Sequence, residues 1–298
     1  MTTSKPRLLV FGAGVIGSLY ALRFFQSGMD VTLLARGNRL TELQKNGLRF
    51  SSKGTVQHER VRVIEKLEDH DIYDFIFVPV RYDQAESALE VIRNNQSKTV
   101  VTLTNTVGYD SWLAIVGDRL LPGFPGAGGD MKDGILNAKF GSKSVQGTVF
   151  GEINGEKTDR IMRLAQLLEA AHLPYEIADN IQAFHVSHAT TVISMKHFYT
   201  ADGLVDLRTA KSRRVLRGVA MDMKRNGRMV EQAGISLTPA KMKIIGKLPA
   251  WLIALMFRIM LNIRFTRDVL LGNHALAARP EVMMMDSAFR AYMASAQY

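Results

Sequence analysis

A chain of 298 residues that is 47% hydrophobic and 22% charged has ordinary globular composition, enough for one large domain or two of average size. It contains no cysteine, which excludes a disulfide framework, a thiolate metal site and a catalytic thiol and fits a reducing, cytoplasmic compartment. The formal net charge of +10 suits anionic partners, but the basic residues are scattered. The densest run, Lys211-Ser212-Arg213-Arg214, reads as a solvated helix face, and no nucleic-acid recognition module is present.

The opening MTTSKPR leads straight into an apolar strand and carries neither a signal-peptide core nor a transit-peptide pattern. The run RLLVFG (7–12) ends in glycine, SLYALRFFQSG (18–28) has helical spacing, DVTLLA (30–35) is a second strand, and NRLTELQKNG (38–47) is an amphipathic helix closed by glycine. YDFIFVPV (73–80), QAESALEVIRNN (84–95) and TVVTLTN (99–105) continue the rhythm as strand, helix and strand. Alternation of this kind, with continuously apolar strands, means a parallel sheet wound with helices on both faces. Residues 106–155 are glycine-rich with short strand-like pieces, 159–174 are helical, and nearly everything from Asn180 onward reads as helix. The expected organisation is a Rossmann-type α/β domain over 1–178 followed by an all-α domain over 179–298.

The apolar segment LPAWLIALMFRIMLNI (248–263) is shorter than the roughly 20 residues a spanning helix needs and is interrupted by Arg258. No integral membrane segment is expected. A buried helix at a domain or subunit interface, as in a homodimer, is the first reading, and a peripheral membrane or partner role for the basic, apolar stretch 244–270 is the second.

VFGAGVIGSLY carries Gly12-Ala13-Gly14-Val15-Ile16-Gly17 between a predicted strand and a predicted helix. Gly12 permits the tight turn, Gly14 lets backbone approach a pyrophosphate, and Gly17 lets the helix pack closely on the sheet. The helix N-terminus then offers free N–H groups to phosphate. Where an NAD-preferring chain has an acid after the second strand, this one has Arg36, with Arg39 following. A guanidinium pairs with a 2′-phosphate that a carboxylate would repel, so NADP(H) is the expected cofactor.

The stretches GAGVIGSLYA and LLARGNRLTELQKNGL resemble the start of the ketopantoate reductase (2-dehydropantoate 2-reductase) family, strongly to about residue 110 and more weakly beyond. The resemblance implies an NADPH-dependent oxidoreductase of pantothenate biosynthesis, with a Rossmann domain, an all-α domain and an active site in the cleft between them. Residue by residue, it puts Arg81 where the family has a lysine that touches cofactor or substrate, and Asn105, followed by Gly108, where an asparagine holds nicotinamide or a substrate oxygen. His188, after the pair Asn180-Ile181, falls on the family's catalytic lysine, and Val192 falls on its helper asparagine. The carboxylate that binds substrate hydroxyls has Glu281 as its nearest counterpart, at poor spacing. The cofactor half is thus kept and the ketopantoate half is not, which points to a small, anionic 2-oxo acid or related ketone other than ketopantoate.

Reduction of a carbonyl needs a hydride donor and a group that stabilises and protonates the developing alkoxide. His188 suits the second task, since an unperturbed imidazole titrates near 6.5. Thr191 or Ser187 is the candidate to orient a substrate, and His185 reads as structure. Lys196, two turns after His188 and on nearly the same helical face, is the rival catalytic group. No carboxylate stands at matching spacing to His185, His188 and His197, and no metal is expected. The alternative to an enzyme is a non-catalytic NADP(H)-binding sensor or scaffold on the same fold.

Overall fold

The computed structural model describes residues 5–142, 146–263, 267, 270–271 and 276–296. The first four residues, positions 264–266 and 268–269 of the basic segment, and 272–275 ahead of Glu281 lie outside the described residues. The chain forms two compact units, Met1–Thr104 with Tyr109–Ile181, and Asn105–Gly108 with Gln182–Tyr298.

The first unit runs β1 (Arg7–Phe11), α1 (Val15–Gln26), β2 (Asp30–Leu34), α2 (Gly37–Asn46), β3 (Leu48–Ser52), β4 (Thr55–Glu59), β5 (Arg62–Ile64), β6 (Phe75–Val78), α3 (Tyr82–Ile92), β7 (Val100–Leu103), α4 (Asp110–Val116) and β8 (Leu120–Phe124). It continues through β9 (Ala127–Lys132), β10 (Ile135–Phe140), β11 (Thr148–Phe150), α5 (Asp159–Ala170) and β12 (Tyr175–Ile177). The main sheet has eight strands in the order β12-β11-β8-β7-β6-β1-β2-β5. From β5 to β8 every pairing is parallel, as β-branched and aromatic runs covered on both faces demand. The expectation of a wholly parallel sheet needs one correction: β11 is antiparallel to β8 and carries β12 with it. The chain returns to β11 from a hairpin, and such a return needs no helical crossover.

That hairpin, inside the stretch read only as glycine-rich, joins β3 and β4 in a second sheet of order β4-β3-β10-β9. Its turn, Asp133-Gly134, has φ of 50° and 73°, the positive pair that a tight hairpin matching the strand twist requires. Against the main sheet α1 buries Tyr20 and Phe24 completely. Tyr20 meets Phe140 of β10 edge-on at 5.0 Å, and its hydroxyl shares a 2.6 Å hydrogen bond with Thr148. The two sheets are thereby joined through one helix.

The second unit contains α6 (Ile181–Ser194), a 3-10 turn (Met195–Phe198), α7 (Leu207–Ala210), α8 (Arg213–Gln232), α9 (Ala240–Lys247), α10 (Ala250–Met260) and α11 (Arg279–Ser295). Helix α6 is buried nearly all round, with Val186, Ala189 and Ile193 at 0% exposure. Its internal hydroxyls bond back to the helix: Thr190 donates to the Ser187 carbonyl and Ser194 to the Thr190 carbonyl, each at 2.7 Å. Along α11 the buried stripe is Val282, Met285, Phe289 and Met293, whereas Met283 and Met284 face water. Phe289→Ala is therefore expected to cost ~3–5 kcal/mol in urea denaturation. Met284→Ala should stay within ~0.5 kcal/mol, and equal losses at the two positions would contradict this helical register.

Candidate functional site

At the carboxyl end of β1 the chain turns through Gly12, whose φ of +113° is open to glycine and whose N–H donates to the Leu34 carbonyl at 3.1 Å. Helix α1 starts after Gly14, and its first backbone bond runs from Ser18 N–H to the Gly14 carbonyl at 2.9 Å. The amides of Val15, Ile16 and Gly17 have no partner inside the helix, and the first turn contains no acid. Gly14 is exposed, and a Cβ built there meets nothing within 4 Å. At Gly17 a Cβ would lie 1.9 Å from the Gly12 carbonyl oxygen and 3.1 Å from the Pro79 ring. The bare backbone at 17 is what lets α1 sit this close to the loop and to the end of β6.

These amides border a cavity of about 330 Å³ walled by Gly12 to Gly14, Arg36, Arg39, Val80 and Gln84. Arg36 caps α2 in extended conformation, is exposed, and has no hydrogen-bond or ion-pair partner among the described residues. Arg39 is placed differently. Its guanidinium donates to the Ala13 carbonyl and the Ser18 hydroxyl, both at 3.3 Å, and pairs with Glu42. Burial holds the Arg39 pKa below its usual value despite Glu42. Arg39 thus ties the glycine loop to α2, and Arg36 is the cation left open to the cavity. Arg81 caps α3, and its guanidinium forks onto Asp83 at 3.0 and 3.2 Å, outside the cavity wall. Sequence reasoning missed Gln84 and Ser87, which α3 contributes to the wall at successive helical turns.

In the second unit, the Asn105 side-chain N–H donates to the Glu281 carboxylate at 2.8 Å. Glu281, set aside in the sequence on spacing, is 7% exposed in the first turn of α11. A carboxylate accepts and does not donate, so it fixes the Asn105 amide with nitrogen toward Glu281. The Asn105 carbonyl oxygen is then buried with no hydrogen-bond partner among the described residues. Tyr199 lies in the field of Glu281: burial, and then that negative charge, push its phenol up to about 12, with Arg279 acting in the opposite direction. Gln182, at the start of α6, donates to the Val107 carbonyl at 2.6 Å and anchors the Asn105–Gly108 segment.

His188 stacks on Phe184 of the preceding turn, with ring centroids 6.0 Å apart and planes 11° apart. Burial brings its pKa down to about 4, and the nearby Lys241 cation acts in the same direction. This corrects the expectation of an imidazole titrating near neutrality: His188 is neutral there and offers an N–H donor, not a cation. His185 is 1% exposed, as a structural residue should be. Ser187 is fully buried, and its hydroxyl accepts from the Thr238 amide at 3.0 Å.

Lys196 does not continue the face of His188, because α6 ends at Ser194 and the 3-10 turn takes over. Its ammonium lies 2.9 Å from Asp286 and 3.4 Å from Asp222. Asp222 also takes His197 at 3.1 Å and Arg225 at 2.7 Å. Burial raises the Asp222 pKa, but the His197 bond and the cations outweigh it and hold the carboxyl below its usual value. No group of three or more potential metal ligands is gathered among the described residues.

The sequence profile of the ketopantoate reductase PanE/ApbA family matches residues 8–133. A 2-dehydropantoate 2-reductase of Mesorhizobium japonicum is 26% identical over 211 residues, which cover 59% of this chain and 61% of that protein. A 2-dehydropantoate 2-reductase of Archaeoglobus fulgidus is 29% identical over 179 residues, 59% of this chain and 57% of the other. The chain thus spans about three fifths of the length of the curated relatives it matches. Among solved structures, 2-dehydropantoate 2-reductase from Geobacter metallireducens superposes with a TM-score of 0.69 at 18% identity, covering 96% of this chain and 99% of that one. D-mandelate dehydrogenase, in a ternary structure with NADH and anilino(oxo)acetate, gives 0.68 at 17% identity over 97% and 99%. At such identities the structural likeness speaks to the fold. Through residues 8–133, this chain is similar to the ketopantoate reductase PanE/ApbA family.

Proposed function

We propose that the protein is an NADPH-dependent reductase of a small, anionic 2-oxo acid. The observation that carries this is the cavity beside the α1 amides, with unpartnered Arg36 at the position where an acid would select NAD. The fit is physical: an open helix N-terminus for a pyrophosphate, exposed backbone at Gly14 for close approach, and a guanidinium for a 2′-phosphate. The reduced nicotinamide supplies the hydride. Asn105, oriented by Glu281, presents a carbonyl oxygen that accepts from a substrate or product hydroxyl. His188 stabilises the developing alkoxide by hydrogen bonding through its neutral N–H, as neutral imidazoles do at other carbonyl sites. The curated relatives support the substrate class, since 2-dehydropantoate is a 2-oxo acid.

A second reading is favoured by the missing cationic acid. Lys196 is neutralised by two aspartates and His188 is uncharged, which suits an NADP(H)-binding sensor without turnover. Loss of NADPH absorbance over a panel of 2-oxo acids separates the two: turnover supports the reductase, and binding without turnover on any of them supports the sensor.

In calorimetry NADPH should bind more tightly than NADH, and Arg36→Glu should weaken NADPH by about 2 kcal/mol, some thirtyfold, while leaving NADH nearly unchanged. Equal binding of the two cofactors by the wild type would contradict the assignment of Arg36. With a turned-over 2-oxo acid, Glu281→Gln should lower kcat/KM about a hundredfold at unchanged NADPH affinity, because a neutral amide no longer fixes the Asn105 orientation.

The depressed His188 pKa has a definite sign in stability. Between about pH 4 and 6.5 the unfolded chain holds a proton on this imidazole that the folded chain does not. Its stability contribution is therefore full above 6.5 and falls as the pH drops toward about 4. Urea denaturation at pH 7 and pH 5 should show a larger loss for the wild type than for His188→Gln; identical losses would mean that the imidazole is already charged in the fold.

A further inference from the structure

Helix α10, AWLIALMFRIM, is apolar on two opposite sides. One side is accounted for: Ile253, Phe257 and Leu261, at 1%, 8% and 0% exposure, pack with Leu216, Val219 and Ala220 of α8. The other side is Trp251, Leu255 and Ile259, spaced one turn apart and 68%, 43% and 55% exposed. Ile263, 54% exposed, extends the stripe beyond the helix, and Met256 and Met260 flank it. Scattered surface apolar residues need no explanation, but a contiguous stripe running the length of a helix does.

The charge beside the stripe is of one sign. Lys211, Arg213 and Arg217 at the start of α8 and Arg258 on α10 line a groove of about 630 Å³ together with Trp251 and Leu255, and no acid borders it among the described residues. Arg213, Arg217 and Arg258 are exposed and have no carboxylate partner among the described residues. The groove therefore requires a partner that is anionic next to the arginines and apolar along α10.

We propose that this face docks on an anionic phospholipid bilayer, with α10 lying in the interface plane, the stripe among the acyl chains and the arginines on lipid phosphates. Trp251 stands where an indole is favoured, between an apolar layer and a polar one. No helix of the described residues is long and apolar enough to cross a membrane, so the attachment is peripheral. A second copy of the chain fits the charge poorly, because a two-fold contact would set the unpaired arginines against themselves. A small anionic amphiphile would fill the groove and leave Ile259 and Ile263 in water.

The chain supplies its own probe. Of its two tryptophans, Trp112 is 2% exposed in the first unit, so a change in emission on vesicle addition reports Trp251. At low salt the full chain should sediment with vesicles of phosphatidylcholine and phosphatidylserine, and its emission should shift to the blue. Pure phosphatidylcholine vesicles should bind it at least tenfold more weakly, and salt should release it. Arg217→Gln should weaken binding about fivefold, by the share one cation contributes near an anionic leaflet. Trp251→Ala should abolish the shift and weaken sedimentation, and both variants should keep wild-type NADPH affinity. The proposal is overturned if phosphatidylserine vesicles bring down no protein or bind no better than neutral ones. It is also overturned if sedimentation equilibrium shows a dimer that Trp251→Ala dissociates without any vesicle present.

Discussion

The contact on which the first unit depends is the approach of α1 to the glycine loop at position 17. With a Cβ there only 1.9 Å from the Gly12 carbonyl oxygen, any other residue would push the helix off the end of β1 and move the row of free amides with it. Everything around the loop reinforces that placement. Tyr20 and Phe24 bury the far side of the helix, Arg39 binds the Ala13 carbonyl and the Ser18 hydroxyl, and the Thr104 hydroxyl ties the end of β7 to the Val80 carbonyl. The anion-binding character of the helix end is therefore built into the packing, and Arg36 adds charge to a cavity whose shape is already fixed.

The second unit divides its charged groups between two arrangements. Lys196, Asp222, Asp286, His197, Arg225 and Arg290 satisfy one another, linking the 3-10 turn to α8 and α11. Gly218 makes room for this, since a Cβ there would lie 2.7 Å from the His197 ring. Removing one member leaves the others partly desolvated and unpaired, which is why such a network acts on structure as a unit. Asn105 and Glu281 are different: the hydrogen bond between them leaves the buried Asn105 carbonyl oxygen unmatched among the described residues. Buried polar atoms are nearly always paired, and the proposed function assigns a ligand group to this exception.

What could be read from the sequence was local. The glycine loop, the strands on either side of it and Arg36 lie within one βαβ stretch, where spacing and backbone chemistry suffice. The second sheet was hidden because it pairs Leu136 with Phe50, segments far apart in the chain, although Asp133-Gly134 between alternating residues was a usable hairpin signal. The Asn105–Glu281 bond spans 176 residues, beyond any periodicity. Helix α6 mixes apolar and polar residues on every side, so its pattern does not tell which residues face a site. The pattern therefore shows neither the hydrogen bond of Ser187 to the Thr238 amide nor the burial that lowers the His188 pKa. No glycine or proline marks the end of α6 at Ser194, and Lys196 was read one element too early.

The most direct test of the central claim is a crystal structure of the protein with NADPH and a 2-oxo acid. The account predicts the pyrophosphate against the amides of Val15 and Ile16, the 2′-phosphate on Arg36, and a ligand group within hydrogen-bond distance of the Asn105 carbonyl oxygen. A cofactor bound away from the glycine loop, or an Asn105 oxygen still unpaired with both ligands present, would contradict it.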